Sequence, residues 1–312
     1  MINTVYRLAE PRRFEIAFED IELFGQNAIV RPTHLSICNA DMRYYLGTRD
    51  PKVLAQKLPM ALIHEGIGKV VFDPTGTFKS GDRVVMVPNA PCEKDDYIAE
   101  NYLKTSKFCG SSMDGFLQEY VEISPKRLVP LPQGINLNVA AFTEIVSVSV
   151  HAITRFNKIA HARRERIGVW GDGNLGYITA LFLKKTFPQS QIFVFGKTYG
   201  KLSDFTFADA TYAVNAIPSG LTVDHAFECV GGNGSPVAIE QIIDLIKPEG
   251  TISLLGVSEY PVQINTRMVL EKGLRLFGSS RSGVADFEKT VAMYESNPEI
   301  IDYLGNLISS VN

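Results

Sequence analysis

A chain of 312 residues that is 45% hydrophobic is about twice a typical domain length and carries enough apolar material for two cores. Its 31 basic and 34 acidic side chains leave a formal net charge of −3, which excludes a broad positive field for nucleic acid and leaves any anionic ligand to be met locally. The start MINTVYRLAEPRRFE lacks the apolar segment of a signal peptide, no apolar run is long enough to cross a bilayer, and Cys38, Cys92, Cys109 and Cys229 are too scattered for a disulfide framework, so a cytoplasmic protein with no membrane partner is expected.

From residue 1 to about 140, short β-branched runs (AIVRP, GKVVF, DRVVMVP, EYVEI) alternate with Gly, Pro, Asn and Asp, the pattern of an all-β unit. Within it, LSICNAD carries Cys38, and ALIHEGIGKVV sets His64 and Glu65 side by side at the mouth of a strand with two glycines behind. A catalytic zinc takes about three protein ligands from Cys, His and carboxylates and keeps one position open, and Cys38 and His64 can supply two of them. Alone, such a Cys is more often a core thiol than a ligand, and such a His is more often a surface or hydrogen-bonded imidazole.

The turn residues PLPQGINLN then lead into VAAFTEIVSVSVHAITRF, which predicts one helix bridging two domains. Glu144 stands at the start of this apolar stretch, where an unpaired carboxylate is costly; a metal or a helix-end salt bridge would satisfy it. His34, His151, His161 and His225 lack comparable company and read as structural or surface residues.

From about residue 165, strands and helices alternate: RIGVW, NLGYITALFLKKTF, QIFVFG, VDHAFECV, SPVAIEQIIDLIKP, GTISLLGV, NTRMVLEKG and LRLFG. That alternation predicts an α/β fold with a doubly wound, Rossmann-type parallel sheet. In IGVWGDGNLGYITA, Gly171, Gly173 and Gly176, with Asn174 and Leu175 between the last two, make a GxGxxG directly after a strand and at the opening of a helix. Such a turn lets backbone approach a pyrophosphate and offers it the free N–H groups of a helix N-terminus. Where the second strand ends, an NAD site places an Asp or Glu on the ribose 2′-hydroxyl; here Gly196 stands there, followed by Lys197 and then Lys201. A missing carboxylate removes repulsion and a cation can pair with a 2′-phosphate, so NADPH is favoured over NADH, unless Lys197 is only a surface lysine beside a turn glycine.

A Cys with an Asp three residues later, a His-Glu-Gly-x-Gly and a GxGxxG fold behind them resemble the zinc-dependent medium-chain dehydrogenases over nearly the whole chain. The resemblance implies a GroES-like all-β catalytic domain over residues 1–145, a Rossmann domain over 146–283, and in 284–312 the start of a C-terminal return to the catalytic domain, ending before the family pattern is complete. It implies one catalytic zinc on Cys38 and His64, with Glu65 a third or an exchanging ligand. Glu144 matches a glutamate of polyol dehydrogenases that completes the zinc sphere directly or through water. Many members hold a structural zinc on four closely spaced cysteines; the equivalent stretch here has only Cys92 and Cys109, which excludes that site. Ala40 and Arg43 replace the family's proton-relay hydroxyl and histidine, leaving metal-bound water, Glu65 or Glu144 as proton carriers. Arg43, beside Tyr44 and Tyr45, suits a substrate phosphate, and Arg281 matches a residue that contacts the polyol in sorbitol-type enzymes; surface salt bridges are the alternative for both arginines.

Long stretches in both domains, among them SICNADMRYYLGTRD, QKLPMALIHEGIGKVVFD, VMVPNAPCEKDDYIAENYLK, GVWGDGNLGYITA and LLGVSEYPVQINTRMVLEKG, are similar to the ribulose-5-phosphate reductases of teichoic-acid and capsule synthesis. This resemblance implies reduction of a phosphorylated pentulose, D-ribulose 5-phosphate, to D-ribitol 5-phosphate by NADPH at a catalytic zinc, beside a cytidylyltransferase that makes CDP-ribitol. It also implies a homo-oligomer, a dimer or tetramer joined through a sheet edge such as LRLFG. The residues by themselves reach a zinc-dependent, NADP-preferring dehydrogenase. A dehydrogenase of an unphosphorylated polyol and a non-catalytic NADPH-binding protein are the two alternatives.

Overall fold

The structure, a computed structural model, describes residues 1–23 and 25–311. Two compact units emerge: Met1–Ser147 with the segment that begins at Arg281, and Val148–Ser280.

The first unit carries strands β1 (Ile2–Glu10), β2 (Arg13–Asp20), β3 (Ala28–Ser36), β4 (Met60–Ala61), β5 (Glu65–Phe72), β6 (Arg83–Met86), β7 (Asn89–Ala90), β8 (Lys107–Phe108), β9 (Val121–Ile123) and β10 (Leu128–Pro130). An antiparallel sheet of order β10-β6-β5-β3-β9 forms its body, with a smaller sheet β2-β1-β4 and the pair β7-β8. Val30, Val70, Val84, Met86, Phe116, Val121 and Leu128 meet in one buried cluster, the burial expected of β-branched runs on a half-covered sheet. The two glycines behind His64 and Glu65 are explained here: a Cβ on Gly68 would lie 2.4 Å from Val30 Cγ1, and one on Gly66 2.6 Å from Leu35 Cδ2. They let β3 and β5 approach without a side chain between them.

Helices α1 (Asn39–Tyr45) and α2 (Pro51–Lys57) interrupt the strands, and α2 opens with Asp50 accepting the Lys52 amide ahead of a proline at the first helical position. The stretch expected as one helix is two, α3 (Leu137–Ala140) and α4 (Thr143–Ile159). Asn136 caps α3, and the Thr143 hydroxyl donates to the Ala140 carbonyl at 2.8 Å, taking an acceptor that a continuous helix would offer to a backbone amide.

The second unit holds β11 (Arg166–Trp170), β12 (Gln191–Gly196), β13 (Ala210–Ala213), β14 (Val223–Glu228), β15 (Ile246–Leu254) and β16 (Arg275–Gly278), with helices α5 (Asn174–Thr186), α6 (Tyr199–Leu202), α7 (Ser235–Leu245) and α8 (Thr266–Glu271). All six strands are parallel, in the order β13-β12-β11-β14-β15-β16. Strand order therefore reverses between β11 and β14, the place where open α/β sheets bind ligands at the strands' carboxyl ends. Trp170 stacks on Phe195 at 3.9 Å between ring centroids, and Val223, Ala226, Ile239, Ile242 and Ile252 fill the core around them.

Helices α9 (Val284–Ser296) and α10 (Glu299–Gly305) return the chain to the first unit, where Phe287 and Val291 pack with Ile67, Val85, Val87 and Val129. Among the described residues no helix is long and apolar enough to cross a membrane.

Candidate metal centre and dinucleotide fingerprint

Cys38 caps the N-terminus of α1, and His64 and Glu65 sit where the chain enters β5. One ligand atom from each of the three lies within 4.8 Å of the others, and Cys38 Sγ stands 3.5 Å from His64 Nε2. Two backbone anchors fix this meeting. The Asp41 carboxylate accepts the Cys38 amide at 3.1 Å on one oxygen and the Ile63 amide at 2.9 Å on the other, tying the cysteine segment to the residue before His64. Register does the rest, because β3 and β5 pair Ser36 with Glu65.

Burial dominates the electrostatics. Removal from water pushes the Cys38 thiol far above its ordinary range, with the charges of Asp41 and Glu65 adding to the effect. Glu65 is raised well above the usual carboxylate range by burial and then by the Glu144 charge, against a hydrogen bond from Ser36. Glu144, equally buried near the start of α4, is raised by burial and drawn back by His64 and Arg281. Three acids crowded out of water around an imidazole are unfavourable by themselves, and a divalent cation converts their repulsion into attraction. One sulfur, one imidazole and one carboxylate are the donors a zinc with an open fourth position takes, so the residues fit that metal. Glu144 stands outside the three-donor group.

Phe108 joins Arg281 to this cluster: the His64 ring lies 5.3 Å from the Phe108 ring, and the Arg281 guanidinium lies over the same ring at 4.6 Å. Arg281 also holds a φ of 59°, uncommon for a side-chain-bearing residue. Arg43, on α1, has its pKa lowered by burial and then by the neighbouring Arg49 cation. Tyr45 instead stacks against Phe14 at 6.1 Å, and the buried Tyr44 ring carries the Arg49 guanidinium at 4.4 Å.

In the second unit, the fingerprint glycines occupy the turn from β11 into α5. Gly171 has a φ of 129°, and a Cβ on Gly176 would sit 2.0 Å from the Gly171 carbonyl oxygen. Gly173 is the N-cap of α5; it makes no side-chain cap, and nothing lies within 4 Å of where its Cβ would be. Uncapped amides facing open space at the end of a 13-residue helix suit a pyrophosphate, so this turn fits a dinucleotide. Asn174 and Leu175 form the first helical turn, and Gly196 ends β12, with the exposed Lys197 and Lys201 following.

Sequence reasoning singled out the three donors but gave no role to Asp41, Ile63 or Phe108. Asp41 had a visible signal, its place three residues after Cys38 at the head of a helix; the left-handed backbone of Ile63, at a φ of 70°, and the ring contact of Phe108 had none.

The chain matches the alcohol dehydrogenase GroES-like domain over residues 25–133 and the zinc-binding dehydrogenase family over residues 197–296. It is 58% identical to a ribulose-5-phosphate reductase of Bacillus spizizenii, over 99% of this chain and 90% of that one. Ribulose-5-phosphate reductase 1 of Staphylococcus aureus is likewise 58% identical, over 98% and 90%. The crystal structure of S. aureus TarJ in complex with NADPH superposes with a TM-score of 0.87 at 51% identity, covering all of this chain and 93% of that one. The chain therefore belongs to the zinc-binding dehydrogenases with a GroES-like domain, and within them to the family of the ribulose-5-phosphate reductases.

Proposed function

We propose that this chain reduces D-ribulose 5-phosphate to D-ribitol 5-phosphate with NADPH, at a zinc held by Cys38, His64 and Glu65. The partly buried three-donor cluster carries the reading, together with the 58% identity to reductases of that name. When bound, zinc supplies a Lewis acid for the substrate carbonyl and NADPH supplies the hydride.

The chain's own residues bind, orient and move protons. Asp41 holds the cysteine and histidine segments at a fixed separation through two backbone amides. Glu144, buried near the start of α4 within the electrostatic reach of His64 and Arg281, would deliver a proton to the new hydroxyl or complete the metal's ligand set directly or through water. Arg43 takes the substrate phosphate: with Arg49 close enough to depress its pKa, the pair is a concentrated positive site that a dianion relieves. Arg281, over Phe108 beside the metal donors, contacts the substrate hydroxyls, and Tyr45, in the last turn of α1 with Arg43, contacts the phosphate end of the substrate. Gly171, Gly173, Asn174, Leu175 and Gly176 receive the pyrophosphate of NADPH, while Gly196, Lys197 and Lys201 receive its 2′-phosphate.

The product, a sugar-alcohol phosphate, is the substrate for a cytidylyltransferase, and we place this chain beside such an enzyme in teichoic-acid synthesis in the cytoplasm. We also propose a homo-oligomer formed through β16, one of the two edge strands of the parallel sheet, since an edge strand invites a second copy. The test is NADPH oxidation with ribulose 5-phosphate before metal removal, after chelation and after zinc is returned, with the product identified as ribitol 5-phosphate. Loss and recovery of turnover with zinc is the expected result; full turnover by the metal-free protein would overturn the proposal.

A further inference from the structure

The first variable position of the fingerprint holds an acid, Asp172. Its Oδ2 accepts the amide N–H of Lys197 at 2.9 Å and of Thr198 at 2.7 Å, the first two residues beyond β12. A Cβ on Gly196 would lie 2.6 Å from Asp172 Cβ, 2.9 Å from its Oδ2 and 2.9 Å from Leu202 Cδ2. Gly196 is not among the residues of positive φ, so the position demands the absence of a side chain rather than an unusual backbone. A carboxylate thus does reach the end of β12, but it arrives from the turn after β11 and is occupied by backbone amides.

Resting on the NADPH reading above, we propose that Asp172 is the residue that locks cofactor choice. It fills the space that an acid at 196 would need to reach a ribose hydroxyl, and it fixes the backbone from which Lys197 extends toward a 2′-phosphate. Neither Lys197 nor Lys201 makes an ion pair among the described residues, so both ammonium groups are available to that phosphate. The usual single change toward NADH, an acid in place of the glycine at the end of the second strand, then fails here because two side chains would compete for one volume.

The prediction is one of non-additivity, read as binding by calorimetry of the zinc-loaded chain with NADPH and NADH. Gly196→Asp alone should weaken NADPH about 30-fold or more and leave NADH no tighter than in the wild type, because the new side chain has nowhere to go. Asp172→Gly combined with Gly196→Asp should bind NADH about tenfold or more tighter than Gly196→Asp does. If the single and double variants bind NADH equally, the two positions are independent and the proposal is wrong.

Two further variants carry the test should the double variant not fold. Asp172→Ala, which loses both amide contacts, should cut the NADPH-to-NADH affinity ratio about tenfold, whereas Asp172→Asn, which keeps an acceptor oxygen, should hold it within about threefold. Equal ratios in Asp172→Ala and the wild type overturn the proposal. The wild-type titration is separate: NADPH binding no tighter than NADH would refute the cofactor reading itself, whatever the variants do.

Discussion

Ile63 holds a φ of 70°, a conformation a β-branched residue keeps only when its surroundings impose it. Its amide donates to Asp41 and its carbonyl accepts from the Phe116 amide at 2.7 Å, while Gly110 and Gly115 leave its backbone room. The strained peptide aims the next two side chains, His64 and Glu65, at Cys38. Asp41→Ala removes both anchors and should lower zinc affinity about 10- to 100-fold, measured by competition with a chromogenic chelator; unchanged affinity would remove Asp41 from the account. Cys38→Ser should lose most bound zinc by elemental analysis and nearly all turnover while binding NADPH as before, and zinc content equal to the wild type would exclude the sulfur as a ligand. Adjacency drew attention to His64 and Glu65 in the sequence, and a cysteine with an aspartate three residues later drew it to Cys38. The strain at Ile63 was not legible, since nothing in an isoleucine announces a left-handed backbone.

Elements were legible where local chemistry and burial agree. β11 and β12 are almost fully buried β-branched and aromatic runs and declare themselves as strands of a parallel sheet. β1 and β2 do not, because their hairpin turns through Pro11 and Arg12 with no Gly or Asn to mark it, Arg12 itself taking a φ of 66°, and β2 is exposed along nearly its whole length. The short edge strand β13 is missed for the same lack of burial. At the fingerprint, Gly176→Ala would drive a methyl into the Gly171 carbonyl and should weaken NADPH binding more than tenfold by the same calorimetry, with wild-type affinity contradicting the packing argument. On β14, His225 is held neutral: its Nε2–H donates to the Arg163 carbonyl, its Nδ1 accepts the Thr251 amide, and burial followed by the neighbouring His161 lowers its pKa to about 4. A depressed folded-state pKa adds stability that is fully present above the ordinary histidine value and is lost as pH falls from about 6.5 through about 4, at most about 3 kcal/mol. Thermal unfolding of His225→Asn should therefore show a shallower loss of Tm across that window than the wild type, and parallel losses would assign the acid sensitivity elsewhere.

At the scale of the whole molecule, the chain builds most of one unit, completes a second, and returns through α9 and α10 to the first, with Arg281 at the point of return. The two classes of fold were legible from the change of hydrophobic period near residue 165. A net charge of −3 offers a substrate phosphate no general attraction, so the proposed function needs local cations to hold it. Arg43→Ala should accordingly raise KM for ribulose 5-phosphate about 10- to 100-fold with little change in kcat, and an unchanged KM would move the phosphate elsewhere. The most direct test of the account is kcat/KM of the zinc-loaded protein with NADPH for ribulose 5-phosphate against ribulose. A preference of about 100-fold or more for the phosphorylated ketose is the predicted result, and equal values for the two ketoses would contradict it.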